Sequence, residues 1–251
     1  MKLLAYLSLV LFSAPIFAQN TSGTITYEEK FNIHKRMTGE RAKYKDFVPE
    51  FRITKGMLVF DENSARYADK EVITGIEEEV VTEENSMRAM MKSMAPKNEF
   101  FMDFKKDKFI EFREFLGREF LVQGDKVEQA KWKIVPEQKE IKGFIAQKAE
   151  LTNEEGQLVE AWFTPQIPVS IGPATYNKLP GLILEVNIND GDLVISALEI
   201  NMNEVNKDYL IAPKKGKKVT PDEFQAIVKE KMEEMRESGQ GGGMHFRTRS
   251  N

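Results

Sequence analysis

The chain has no cysteine and only two histidines, His34 and His245, among its 251 residues. The first absence excludes disulfides, thiol nucleophiles and a lipid anchor built on a cysteine. An oxidising compartment would permit disulfides, so stability must come from packing. The second leaves little room for histidine chemistry. His245 stands in a Gly-rich tail with nothing to fix its geometry. His34 ends a predicted strand beside Lys35 and Arg36, as an exposed strand-end residue would. A Ser–His–Asp arrangement and a Cys/His zinc site are therefore not expected. A phosphate-cradling loop is missing too, because the Gly239 to Gly243 stretch leads into neither Lys-Ser/Thr nor a helix. Charge of one sign is not in excess: 36 Lys and Arg face 40 Asp and Glu, which gives no reason to expect nucleic acid. Those carboxylates form many chance pairs and single out none. No catalytic residues and no cofactor are predicted.

Long apolar runs are also scarce. One exists, from Leu3 to Phe17, preceded by Lys2 and followed by Ala18 and the polar Gln19-Asn20. A basic start, an apolar centre and a small residue at the exit read as a signal peptide over 1–18, cleaved near Ala18. The run is too short for a convincing membrane span. The expectation is a periplasmic or secreted protein without a transmembrane segment in the mature chain.

What the sequence does have is alternation. Apolar and polar residues alternate through Thr24–Tyr27 and Phe31–Ile33. Further strand-like stretches are Met57–Phe60, Ser64–Tyr67, Phe100–Phe104, Phe109–Phe115, Phe120–Val122, Trp132–Val135, Ile141–Leu151, Leu158–Phe163, Leu182–Ile188 and Leu193–Ile200. Polar clusters separate them. Asn189-Asp190-Gly191-Asp192 is a strong hairpin signal, and Lys105–Lys108 and Thr152–Gly156 are turn-like. This predicts a mainly β domain over 19–206, an antiparallel meander of about ten strands forming a half-open barrel or sandwich. Two segments depart from it. Residues 77–98 read as an inserted loop or short helix. Residues 207–219, with Lys214, Lys215, Lys217 and Lys218, read as a solvated basic linker. Beyond them, Thr220-Pro221-Asp222-Glu223 is a helix-start signature. Phe224, Ile227, Val228, Met232 and Met235 then recur at helical spacing, which predicts a helix over 220–237. Residues 238–251 form a Gly-rich tail.

Two residue sets invite a functional reading. Met87, Met90, Met91 and Met94 would share one face of a helix. Thioethers suit Cu(I), although such a stripe also serves as a pliable apolar face. In the second set, Pro165, Pro168 and Pro173 prevent a continuous strand between Phe163 and Tyr176, and Leu179-Pro180-Gly181 reads as a turn. The loop either fixes the fold or forms one lip of an apolar cleft. On the latter reading Trp162, Ile167, Pro168, Gly172, Pro173, Leu179, Pro180 and Gly181 contact a ligand or partner.

Residues 132–200 carry a wider pattern: Trp132-Lys133-Ile134, Ile141-Lys142-Gly143-Phe144, Glu160-Ala161-Trp162-Phe163-Thr164, Gly172-Pro173 and Lys178-Leu179-Pro180-Gly181-Leu182-Ile183. This resembles the GLPGLI family, with weaker likeness back to residue 24. Lys178 replaces the first glycine of the name motif, which argues that the position does not need one, and Ala146 stands where many relatives have cysteine. The resemblance implies a secreted envelope protein of Gram-negative bacteria, with a half-open antiparallel barrel like that of lipid-handling carriers. The expected function is a non-catalytic binding or accessory protein holding a lipid-like ligand or an outer-membrane protein. A Met-rich Cu(I)-binding protein is the alternative.

Overall fold

The structure is a computed structural model, described here for residues 21–74, 97–124, 131–153 and 155–237. The expected leader, nearly all of the 77–98 insertion with Met87, Met90, Met91 and Met94, and the 238–251 tail lie outside the described residues. Twelve strands form one open sheet. In chain order they are β1 (Gly23–Asn32), β2 (Phe51–Phe60), β3 (Ser64–Asp69), β4 (Asn98–Asp103), β5 (Lys108–Phe115), β6 (Arg118–Gly124), β7 (Lys133–Ile141), β8 (Phe144–Thr152), β9 (Leu158–Thr164), β10 (Leu182–Ile188), β11 (Leu193–Asn201) and β12 (Lys217–Val219). Across the sheet the order is β12-β6-β5-β4-β3-β2-β1-β11-β10-β9-β8-β7. Neighbours are antiparallel except β12, which runs parallel to β6. Short helices α1 (Ile33–Arg36) and α2 (Lys70–Thr74) follow β1 and β3, and α3 (Pro221–Glu237) ends the described chain. Among the described residues no helix is long and apolar enough to cross a membrane.

The mainly β, antiparallel reading holds, and some boundaries move for local reasons. The stretch read as one strand from Ile141 to Leu151 contains a hairpin turn. Lys142 and Gly143 both take positive φ, at 53° and 83°, the geometry of the two-residue turn that fits strand twist. The basic linker is not wholly solvated. Its Lys217–Val219 end pairs with Phe120–Val122, and Val219 is buried. The strand β2 begins at Phe51, earlier than the Met57 start that alternation suggested, so the β1–β2 connection is shorter than expected; it carries α1 and a 3-10 stretch, Gly39–Phe47.

Alternation assigns side chains to two faces. Ile25, Tyr27, Leu58, Phe60, Tyr67, Phe100 and Phe109 point to one face. They join Ala149, Val159, Ala161 and Phe163 from the other half of the sheet in a single apolar cluster. One cluster shared by β5 and β8 requires the sheet to curl, so this is the concave face. On the opposite face Met57, Val59, Ala68 and Ile73 form a second cluster, covered by Val205, Tyr209 and Leu210 from the strap that links β11 to β12. The buried ion pair of Glu111 and Arg113, 2.7 Å apart, lies on the concave side of β5 between Phe109 and Phe115.

Helix α3 forms as its sequence predicts. The Thr220 hydroxyl accepts from the Glu223 N–H at 3.2 Å, and the Glu223 carboxylate accepts from the Thr220 N–H at 2.7 Å, a reciprocal capping box. Phe224 then packs edge-on against Phe115 and Phe120, with ring centres 6.3 and 5.3 Å away, and Val228 joins them. Truncating Phe224→Ala should therefore lower stability by about 3 kcal/mol, and Glu223→Ala by about 1 kcal/mol. Urea denaturation checks both. An unchanged midpoint for Phe224→Ala would show that the helix is not docked there.

Candidate functional site

The proline-rich loop, residues 165–181, is folded into the concave face. Ile167, Ile171, Ala174 and Leu179 are all buried in the main cluster. Backbone bonds seat the loop: the Leu182 N–H donates to the Ile167 carbonyl at 3.0 Å, and the Ile183 N–H to the Ile171 carbonyl at 2.9 Å. Behind it, the Tyr27 hydroxyl donates to the Ile183 carbonyl at 2.7 Å. Complete burial pushes the Tyr27 phenol strongly upward from its ordinary value, because a charged phenolate cannot be solvated there. The hydroxyl therefore stays a donor. Trp132 closes the loop's far side, its indole N–H donating to the Asn177 carbonyl at 3.0 Å. Lys178 reaches Asp107 of the β4–β5 turn at 3.3 Å, tying the loop to the other half of the curled sheet.

The cleft residues named from sequence do not share one surface. Ile167, Gly172, Pro173, Leu179 and Gly181 are buried, while Pro168 and Pro180 are exposed. Trp162 is half-buried and alternates with the buried Phe163, which places it on the opposite face of β9. There Lys139 Nζ sits 4.3 Å from the centre of its ring and 2.7 Å from Glu185 Oε1. Two glycines explain the motif physically. A Cβ on Gly181, at φ 153°, would lie 2.1 Å from the Thr164 carbonyl oxygen, and one on Gly172 would lie 2.6 Å from Ile183 Cβ. Lys178 itself has φ 67°. The expectation that this position does not need a glycine holds, although the backbone there is left-handed, the conformation glycine adopts at least expense. Here a lysine holds it, with its N–H bonded to the Ser170 carbonyl at 3.2 Å.

Among the described residues, three carboxylates converge on one lysine at the outer face of β7–β9. Glu160, Glu150 and Glu137 all approach Lys148. The Glu160 hydrogen bond, then that of Glu150, raises the Lys148 ammonium well above its ordinary value, so the lysine stays charged and balances one of the three carboxylates. His34 serves the β1–β2 connection, with Nε2 3.0 Å from the Val48 carbonyl.

Sequence reasoning missed the groove on the outer face of β3–β6, beside the strap. It has a volume of about 440 Å³. Ile73 and Phe112 give it apolar wall, and Ile211 on the strap is 50% exposed. Arg66 donates to Glu99 at 2.6 and 3.2 Å, and to the Tyr209 carbonyl at 3.3 Å, fixing the strap against the sheet. Lys215 meets Glu119 at 2.9 Å on the rim. The groove joins four non-consecutive segments, and only pairing could bring Arg66 and Lys215 together. The exposed apolar Ile211 beside the basic run was the one legible signal.

A family model described as a protein of unknown function (Porph_ging) matches residues 146–185, the stretch holding most of β8, all of β9, the buried loop and the start of β10. No curated protein matches the chain. Among solved structures, two crystal forms of PNGF-II share the fold with TM-score 0.55 and 13% identity. They cover 84% and 83% of this chain and 34% and 33% of theirs. The chain therefore spans about a third of the length of PNGF-II. An uncharacterized conserved protein from Thermus thermophilus aligns at 9% identity and TM-score 0.38, over 80% of this chain and 92% of that one.

Two substitutions separate the roles of the loop's backbone. Gly181→Ala should destabilise by about 3 kcal/mol, since the new methyl meets backbone rather than a movable side chain. Lys178→Gly should stabilise by about 1 kcal/mol, by removing a left-handed non-glycine residue. Chemical denaturation of both variants is the check, and equal effects of one sign would contradict the assignment.

Proposed function

We propose that this protein is a non-catalytic binding module of the cell envelope that takes an extended segment of a partner polypeptide in the outer groove. The observation that carries the reading is the groove itself: apolar wall from Ile73 and Phe112, an exposed Ile211 at its mouth, and a rim of both charge signs. Mixed-sign rims select partners by charge complementarity more than they add affinity. The exposed Lys215–Glu119 pair contributes little to stability, so a partner's carboxylate can replace Glu119 without much loss. The volume falls within the range of ligand pockets.

Several observations support this choice. The concave face, where a lipid-like ligand would have to lie, is occupied by Ile167, Ile171 and Leu179 of the chain's own loop. The same fold forms about a third of the longer PNGF-II chain, in keeping with a module that works attached to or beside something else. The leader-like start and the resemblance to the GLPGLI family favour the envelope, with an outer-membrane protein as the partner.

Peptide-library selection on the purified protein tests the reading. Selected peptides should bind the wild type and lose about tenfold in affinity against Lys214→Glu/Lys215→Glu and against Ile211→Asp, each variant keeping its thermal midpoint. Peptides that bind the variants as well as the wild type, or a selection that enriches nothing, would refute it.

A further inference from the structure

The connection from β1 to β2 carries a surface that the groove does not explain. Its 3-10 stretch, Gly39–Phe47, leaves Phe47 73% exposed and Tyr44 52% exposed. A 3-10 helix repeats every three residues, so side chains three apart eclipse one another. Arg41, Tyr44 and Phe47 therefore stack into one ridge. Gly39, Ala42 and Lys45 form a second ridge, of which Lys45 is half-buried, and Glu40, Lys43 and Asp46 a third. The first ridge is a cation followed by two aromatic rings, all three exposed. Lys43 bends over it, its Nζ 5.3 Å from the Tyr44 ring centre. Among the described residues no carboxylate lies within ion-pair distance of Arg41, Lys43 or Lys45.

The exposure is not that of a loose loop. The connection is fastened at its base on both sides. The Ile33 N–H donates to the Glu50 carbonyl at 2.7 Å, and His34 contacts the Val48 carbonyl. Lys35 and Arg36 are drawn to Asp192 in the β10–β11 turn, at 3.8 and 3.6 Å. The two cations nearest the sheet are thus consumed in anchoring, and the tip keeps those that face outward. Beside it, on the outer face of β1 and β2, Ile53 is 50% exposed opposite Lys30. Between Lys30 and Lys55 the chain carries eight Lys and Arg side chains against Glu40, Asp46 and Glu50, while the whole chain has net charge −4. The local sign opposes the global one.

We propose that this tip docks the protein on an anionic lipid bilayer, with Phe47 and Tyr44 seated at the headgroup level and Arg41, Lys43 and Lys45 on the anionic headgroups. Aromatic rings flanked by cations are the side-chain pair that the membrane–water interface takes up. Each Lys or Arg near such a surface adds a further increment of attraction. The shape fits as well: a protruding ridge suits a deformable plane, where a protein partner would need a matching hollow.

Vesicle co-sedimentation of the chain from Gln19 onward, which holds every described residue, tests the proposal. The wild type should bind phosphatidylcholine vesicles containing about one-third phosphatidylglycerol, and bind pure phosphatidylcholine about tenfold more weakly. Lys43→Glu/Lys45→Glu should abolish that preference. Tyr44→Ser/Phe47→Ser should lower binding about tenfold without changing the thermal midpoint. In a Trp132→Phe/Trp162→Phe background, Phe47→Trp should give blue-shifted emission on vesicles and be quenched by brominated lipid. Equal sedimentation with both vesicle types, binding that survives both double variants, or an indole emission from the Phe47→Trp variant unmoved by vesicles would each overturn it. The groove variants Lys214→Glu/Lys215→Glu should sediment as the wild type does, which keeps this test separate from that of the groove.

Discussion

Among the described residues a single curled sheet with apolar clusters on both faces has no second sheet to cover them, and the rest of this structure answers that constraint. The concave face is filled by residues 165–181 and the outer face is roofed by the strap carrying Val205, Tyr209 and Leu210. Helix α3 covers β5, β6 and β12. The loop and the strap are held by backbone-directed hydrogen bonds as well as by apolar contact. Trp132 holds the Asn177 carbonyl of the loop, and Arg66 holds the Tyr209 carbonyl of the strap. Irregular segments carry unpaired carbonyls that are costly to bury. Long polar-tipped side chains, from β3 and from the residue just before β7, supply the missing partners.

The loop shows how tightly this is drawn. Gly172 and Gly181 press directly on Ile183 and on the Thr164–Pro165 backbone. A loop that close to the sheet leaves no layer for a ligand between them. The concave side therefore acts as core, and both proposed binding surfaces lie outside it, at the groove beside the strap and on the β1–β2 connection.

Legibility followed the range of the interaction. Strands with clean alternation, the Asp190-Gly191 turn and the Thr220–Glu223 cap were readable because each depends on residues a few positions apart. The Lys142-Gly143 turn was hidden, because Phe144 and Ile145 resume an apolar pattern at once and mask a two-residue break. The prolines of 165–181 were read correctly as ending a strand. Their burial was not readable, since it depends on curling that brings Phe109 and Ala149 to one cluster. Trp162 looked like a member of that loop's surface, yet strand parity sends it to the other face. The groove was illegible for the same reason: Arg66 meets Glu99 and the strap only through pairings set far along the chain.

The two proposed surfaces are spaced along β2 in a way that makes them compatible. The tip enters the sheet at Phe51, and Arg66 of the groove stands opposite Val59 on the same strand. Eight residues at about 3.3 Å each separate those positions by roughly 26 Å. A bilayer contacting the tip through Phe47 would thus stand well clear of the groove. The Debye length at physiological salt is about 8 Å, so headgroup charge at that distance is screened from the groove's rim. Lys214, Lys215 and Glu119 would then choose a partner by its own charges, and the lipid would fix only how the module is presented.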